Sequence, residues 1–75
     1  MTLAELKKNE KAVICKIDGG GPFVSRIKGL GIFPGSTIKL VTFAPLGDPL
    51  IVKIGDTTMA MRKEDASGIV VELAV

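Results

Sequence analysis

The chain contains no histidine, tryptophan or tyrosine, and its 75 residues include one cysteine. Without His, the side chain that most often moves protons at neutral pH and most often binds zinc is missing, and most catalytic designs go with it. Without Trp or Tyr, and with Arg26 and Arg62 as the only arginines, there is no stacking platform for single-stranded nucleic acid and no aromatic wall for a proline-rich peptide. The lone Cys15 has no partner for an internal disulfide and no CxxC neighbour, which suits a reducing compartment; its place in the run Val13 to Ile17 predicts a small core side chain rather than a nucleophile. Apolar runs are broken by Lys, Gly or Pro within a few residues, far short of the roughly 20 that span a bilayer. No membrane insertion is expected. Met1 to Lys8 carries its charges after its apolar residues, the reverse of a secretory signal, so the sequence predicts a cytoplasmic location.

What is present is an aliphatic chain. Residues of apolar type make up 47% of it, yet the aromatics are three Phe, so a core must be built from Val, Ile and Leu. A length of 75 residues predicts a single domain, 1–75, near the lower end of what folds alone. The net charge of +2 is too small to imply nucleic acid, but it is uneven. Residues 1–39 hold seven Lys/Arg against three acids, and residues 40–75 hold three against five, a pattern that reads first as a solvated basic face and second as steering for an acidic partner.

Local signals divide the chain into short elements. Thr2 and Glu5 have capping-box spacing for a turn through Leu6. Lys11 to Asp18 reads as a strand because Val13, Ile14, Cys15 and Ile17 are mostly β-formers, and Gly19-Gly20-Gly21 follows as a flexible turn into a helix. That triplet lacks the Gly-x4-Gly-Lys-Ser/Thr spacing of a phosphate cradle. Pro22 suits a first helical turn, Phe23, Ile27 and Leu30 share one face at helical spacing, and Gly31 ends the helix before a turn at Pro34-Gly35. Thr37 to Phe43 is predicted as a strand, and Leu50 to Ile54 with Thr57 to Met61 as a hairpin whose loop, Gly55-Asp56, puts Gly first as a type II′ turn requires. Arg62 to Ser67 makes one helical turn, and Ile69 to Leu73 a last strand. The expected fold is mostly β: a small five-stranded antiparallel barrel of the SH3-like or OB kind, with one short helix after the first strand and a one-turn helix before the last. Its expected core joins Leu40, Val52, Ile54, Met59, Val71 and Leu73 to Phe23, Ile27 and Leu30.

Between the predicted strands lies Ala44-Pro45-Leu46-Gly47-Asp48-Pro49. Each proline removes a backbone donor and biases the residue before it to extended geometry, while Gly47 and Asp48 tolerate left-handed conformations, so the segment is a rigid, shaped loop. Leu46 is then either an apolar anchor offered to a partner or a plug folded back on the barrel end. Arg26 and Lys28 are placed on the exposed side of the helix as a second contact. Glu64-Asp65 could offer hard oxygen ligands to a divalent ion, although adjacent carboxylates at a helix start ordinarily complement its dipole.

Leu30-Gly31-Ile32-Phe33-Pro34-Gly35, the PLGDP phrase at Pro45 to Pro49, and Met61-Arg62-Lys63-Glu64-Asp65-Ala66 occur in an order and spacing that resemble the FeoA family from about Leu3 to Leu73. The Gly19-Gly20-Gly21 triplet departs from the more polar run expected there. The resemblance implies an SH3-like barrel in the cytoplasm that assists FeoB, the membrane ferrous iron transporter with a cytosolic guanine-nucleotide-binding domain. It implies no catalytic, cofactor or metal residues. The sequence-based reading is therefore a non-enzymatic interaction module on the cytosolic side of a FeoB-like transporter, binding no nucleic acid and making at most a weak contact with divalent metal. Its candidate partner-binding residues are Pro45, Leu46, Gly47, Asp48, Pro49, Arg26 and Lys28. The alternative is a metal-sensing or metal-binding SH3-like domain of the kind fused to iron-dependent repressors.

Overall fold

The computed structural model describes residues 1–19 and 21–74, so Gly20 of the expected strand-to-helix turn lies outside the described residues. Its elements are a 3-10 turn at Leu3–Glu5, β1 (Lys11–Ile17), α1 (Pro22–Gly29), β2 (Thr37–Phe43), β3 (Leu50–Ile54), β4 (Thr57–Met61), α2 (Lys63–Ala66) and β5 (Ile69–Leu73). All five strands form one antiparallel sheet in the order β4-β3-β2-β1-β5. The molecule measures 27 × 27 × 24 Å, nearly equal in every direction. A sheet of five strands takes that shape only by curling. Two register shifts supply bends, one in β1 between Ile14 and Lys16 and one in β2 between Leu40 and Thr42.

Local chemistry sets the element ends. The Thr2 N–H donates to Glu5 Oε1 at 2.8 Å and opens the 3-10 turn. Ser36 N–H donates to the Phe33 carbonyl at 3.0 Å across Pro34-Gly35, and Gly55 adopts φ 58° in the two-residue loop that joins β3 to β4. Gly31 stops α1. In its left-handed conformation, φ 84°, the chain turns so that Gly31 N–H reaches the Lys28 carbonyl at 3.0 Å and Ile32 N–H reaches the Ile27 carbonyl at 3.1 Å. Both orphan carbonyls are satisfied, and the residue after the glycine is turned into the core.

Every strand contributes to that core. Ala12 and Ile14 of β1, Ile38 and Leu40 of β2, Leu50 and Val52 of β3, Met61 of β4, and Ile69 and Val71 of β5 are buried. Leu3, Leu6, Val24, Ile27, Ile32 and Ala66 close it from the helices and turns. No polar or charged residue is buried among the described residues, so the interior is held by aliphatic packing.

Three expectations need correction. The buried face of α1 is Val24 and Ile27, followed by Ile32, whereas Phe23 is half-buried and Leu30 is 54% exposed. The helix ends before Leu30 can complete a face, and the turn at Gly31 brings Ile32 into the place Leu30 was expected to fill. Ile54 and Met59 only flank the core, and Leu73 is 47% exposed at the end of β5, beyond the last core residue, Val71. Cys15 is exposed. The alternation that buries Ala12 and Ile14 points it outward, and it is the extra residue of the β1 bulge, since Ile14 pairs with Val71 and Lys16 with the adjacent Val70.

Candidate interaction site

The loop between β2 and β3 is closed by its own backbone. Ala44 N–H donates to the Pro49 carbonyl at 3.0 Å, and Gly47 N–H donates to the Ala44 carbonyl at 2.7 Å. The second bond makes a turn with Pro45 and Leu46 at its centre. Gly47 leaves that turn at φ 85°, a conformation that costs an L side chain about 1 to 2 kcal/mol. Asp48 does not share the left-handed geometry. Its Oδ1 instead accepts the Lys63 N–H at 3.0 Å, which fastens the loop to the first residue of α2.

Leu46 projects from the loop tip at 96% exposure. Of the two readings of Leu46, anchor or plug, this exposure excludes the plug, because the turn across Ala44 to Gly47 directs the tip away from the core. Pro45 is exposed beside it, and Gly47 and Pro49 are half-buried.

Beneath the loop lies an open cleft of about 840 Å³, lined by Pro22, Phe23 and Arg26 of α1, Asp48 and Pro49 of the loop, Ala60 and Met61 of β4, and Arg62 and Asp65 around α2. Of the residues singled out in the sequence, Arg26, Asp48 and Pro49 line it together. Pro45, Leu46 and Gly47 stand on the adjoining tip, and Lys28 is exposed elsewhere on α1. Sequence reading missed Phe23, Met61, Arg62 and Asp65 as parts of one surface. The signal available was that Arg62 is the other arginine of the chain.

Both arginines thus line one cleft, together with Asp48, Asp65 and Pro, Phe, Ala and Met side chains. Among the described residues the one ion pair is Lys16 Nζ to Asp18 Oδ1 at 3.1 Å, outside this cleft. The guanidinium groups are free to pair with a carboxylate brought by another molecule, in the two-pronged geometry that suits arginine. Also among the described residues, no three His, Cys, Asp or Glu side chains cluster closely enough to hold a metal ion, and Asp65 is engaged in the cleft wall rather than beside a third ligand. Among the described residues no helix is long and apolar enough to cross a membrane. The chemistry on offer at the cleft is recognition by shape, apolar contact and balanced charge.

Comparison with known proteins identifies the family and the fold. A family model described as the FeoA domain matches residues 1–73. A fusion protein of Fe(2+) transport protein A with the Fe(2+) transporter FeoB, from Porphyromonas gingivalis, is 44% identical over 73 residues, covering 97% of this chain; the chain spans 9% of that protein's length. The solution structure of FeoA from Chlorobium tepidum superposes with a TM-score of 0.94 at 33% identity, over 100% of this chain and 71% of that one. The crystal structure of a zinc complex of FeoA from Stenotrophomonas maltophilia, described as a prokaryotic SH3 domain protein, superposes with a TM-score of 0.83 at 32% identity, over 96% of this chain and 89% of that one. The five antiparallel strands, the two helices and the sequence over residues 1–73 all lead to one family: this chain belongs to the FeoA domain family.

Proposed function

We propose that this chain is a non-enzymatic accessory of ferrous iron uptake that docks on the cytosolic side of a FeoB-like membrane transporter. The observation that carries the reading is the relative in which a segment 44% identical to this chain is joined to FeoB in one polypeptide. Two partners found fused in one protein are expected to meet as separate chains in another, since the fusion only raises the local concentration of an existing contact.

The face that makes this contact is the cleft with its loop tip. Arg26 and Arg62 supply charge for acidic side chains, Phe23 and Met61 supply apolar floor, and Leu46 supplies a protruding anchor. Two prolines and two backbone bonds hold the loop in shape before docking, so little ordering entropy is lost on binding. The docking needs no cofactor, no nucleic acid and no insertion into the bilayer.

Immobilised chain should retain a FeoB-like transporter from detergent-solubilised membranes of the source cells. Retention should fall at least tenfold for a variant carrying both Arg26→Ala and Leu46→Ala. Equal retention by an unrelated SH3-like domain would overturn the reading, and equal retention by the double variant would move the contact to another face.

A further inference from the structure

Strands β1 to β4 contain Lys11, Lys16, Lys39 and Lys53 and no Asp or Glu. Three of these lysines stand in one row. Lys11 is directly opposite Lys39, and Lys39 directly opposite Lys53. Residues paired in this way project from the same face, and like charges placed opposite one another destabilise a sheet. The row therefore works against the fold that displays it. Neighbouring strands lie about 4.8 Å apart, so the outer two lysines are rooted roughly 10 Å from each other.

A cleft of about 310 Å³ opens at the row, lined by Lys11, Lys39 and Lys53 together with Thr37 and Gly55. Lys39, in the middle, is half-buried, while Lys11 and Lys53 on its flanks are exposed. Its stem is held against the sheet and its ammonium group is left at the cleft. The acids adjoining the row in sequence or register are placed around it: Glu10 accepts the Lys7 N–H through Oε1 at 2.6 Å, Glu72 lies opposite Val13 on the same face, and Asp56 belongs to the β3–β4 turn. None forms an ion pair with a lysine of the row among the described residues.

We propose that Lys11, Lys39 and Lys53 form a binding site for a phosphate-bearing anion with two or more negative charges. Three ammonium groups within so short a span repel one another, and a single multivalent anion between them turns that repulsion into attraction. Lysine is a compact point charge on a flexible stem, so several can converge on the oxygens of one phosphate or pyrophosphate group without the planar match that arginine needs. The Thr37 hydroxyl adds a neutral donor. The same chemistry is presented by a free polyphosphate group and by a phosphomonoester lipid headgroup.

Thermal unfolding of the whole chain in inorganic pyrophosphate, at constant ionic strength, tests the site. The wild type and Lys28→Gln should gain several degrees in Tm at millimolar pyrophosphate, and Lys39→Gln should lose most of that gain. Each variant is compared with itself, so a change in its own stability leaves the reading intact. Co-sedimentation with phosphatidylcholine vesicles, with and without phosphatidate, separates the sources: capture by phosphatidate vesicles that Lys39→Gln abolishes, without a pyrophosphate effect, assigns the row to a headgroup. Absence of both effects, or effects equal in Lys39→Gln and Lys28→Gln, would overturn the proposal. An equal Tm gain with citrate of matched charge would overturn the assignment to phosphate.

Discussion

The Asp48 carboxylate accepts the backbone N–H of Lys63 at 3.0 Å, joining a surface loop to the first residue of a helix 15 positions later. Helix α2 has only four residues, and Arg62, which precedes it, makes no side-chain cap. Asp48 supplies that cap from another part of the chain, and its negative charge complements the N-terminal end of the helix. One aspartate therefore orients the loop that carries Leu46 and the helix that carries Asp65, the two sides of the cleft.

Replacing that cap should be felt in stability. Asp48→Ala is expected to lose about 1 kcal/mol, the usual worth of a capping side chain. Chemical denaturation should show the loss, and Asp48→Asn, which keeps an acceptor oxygen, should retain most of the stability. A loss of the same size in both variants would mean that charge rather than the hydrogen bond holds the loop.

Leu46→Ala should leave the melting temperature within about 2 °C of the wild type, because a side chain 96% exposed has almost no buried surface to lose. Capture of a FeoB-like transporter, and ferrous uptake in cells that depend on it, should weaken. A melting point several degrees lower would place Leu46 back against the barrel.

Core position sets the cost of a truncation. Ile38→Ala, at a residue with no exposed surface, should lose about 2 to 5 kcal/mol, a large share of the total stability of a chain this small. Ile54→Ala, at the half-buried edge of the core, should lose roughly 1 to 2 kcal/mol. Urea unfolding of the two variants ranks them, and the opposite order would contradict the packing described here.

Cys15 should react with a water-soluble disulfide reagent in the folded protein as completely as in urea, since it is the exposed residue of a bulge. Cys15→Ser should change stability by less than about 0.5 kcal/mol. Protection of the thiol until unfolding would return it to the interior.

Titration calorimetry with ferrous iron and with zinc, under reducing conditions, should show no stoichiometric site of micromolar affinity. Tight sites need three or four converging donors, and no group of three carboxylates or thiols is gathered among the described residues. A tight site would favour a metal-sensing role and would locate ligands that this geometry does not bring together.

Sequence by itself determined the elements whose causes are local. Pro22 begins a helix because its ring pre-sets the first helical turn, Gly31 ends it because the left-handed turn there is open to glycine, and Gly55-Asp56 makes a hairpin because its first residue must take positive φ. The strand character of β2 and β3 was equally readable, and so was the aliphatic character of the core. Tertiary structure alone decided what depends on pairing between distant segments. Cys15 is exposed because β1 buries Ala12 and Ile14 and so turns Cys15 outward, a choice of face that a run of β-formers does not announce. Val24 rather than Leu30 is buried because a helix of eight residues turns toward whichever contacts the sheet provides, and three apolar positions at helical spacing do not choose among them. Arg26 met Arg62, and Lys11 met Lys39 and Lys53, only when the strand order β4-β3-β2-β1-β5 was set, because side chains far apart in sequence share a surface through packing and register, not through spacing.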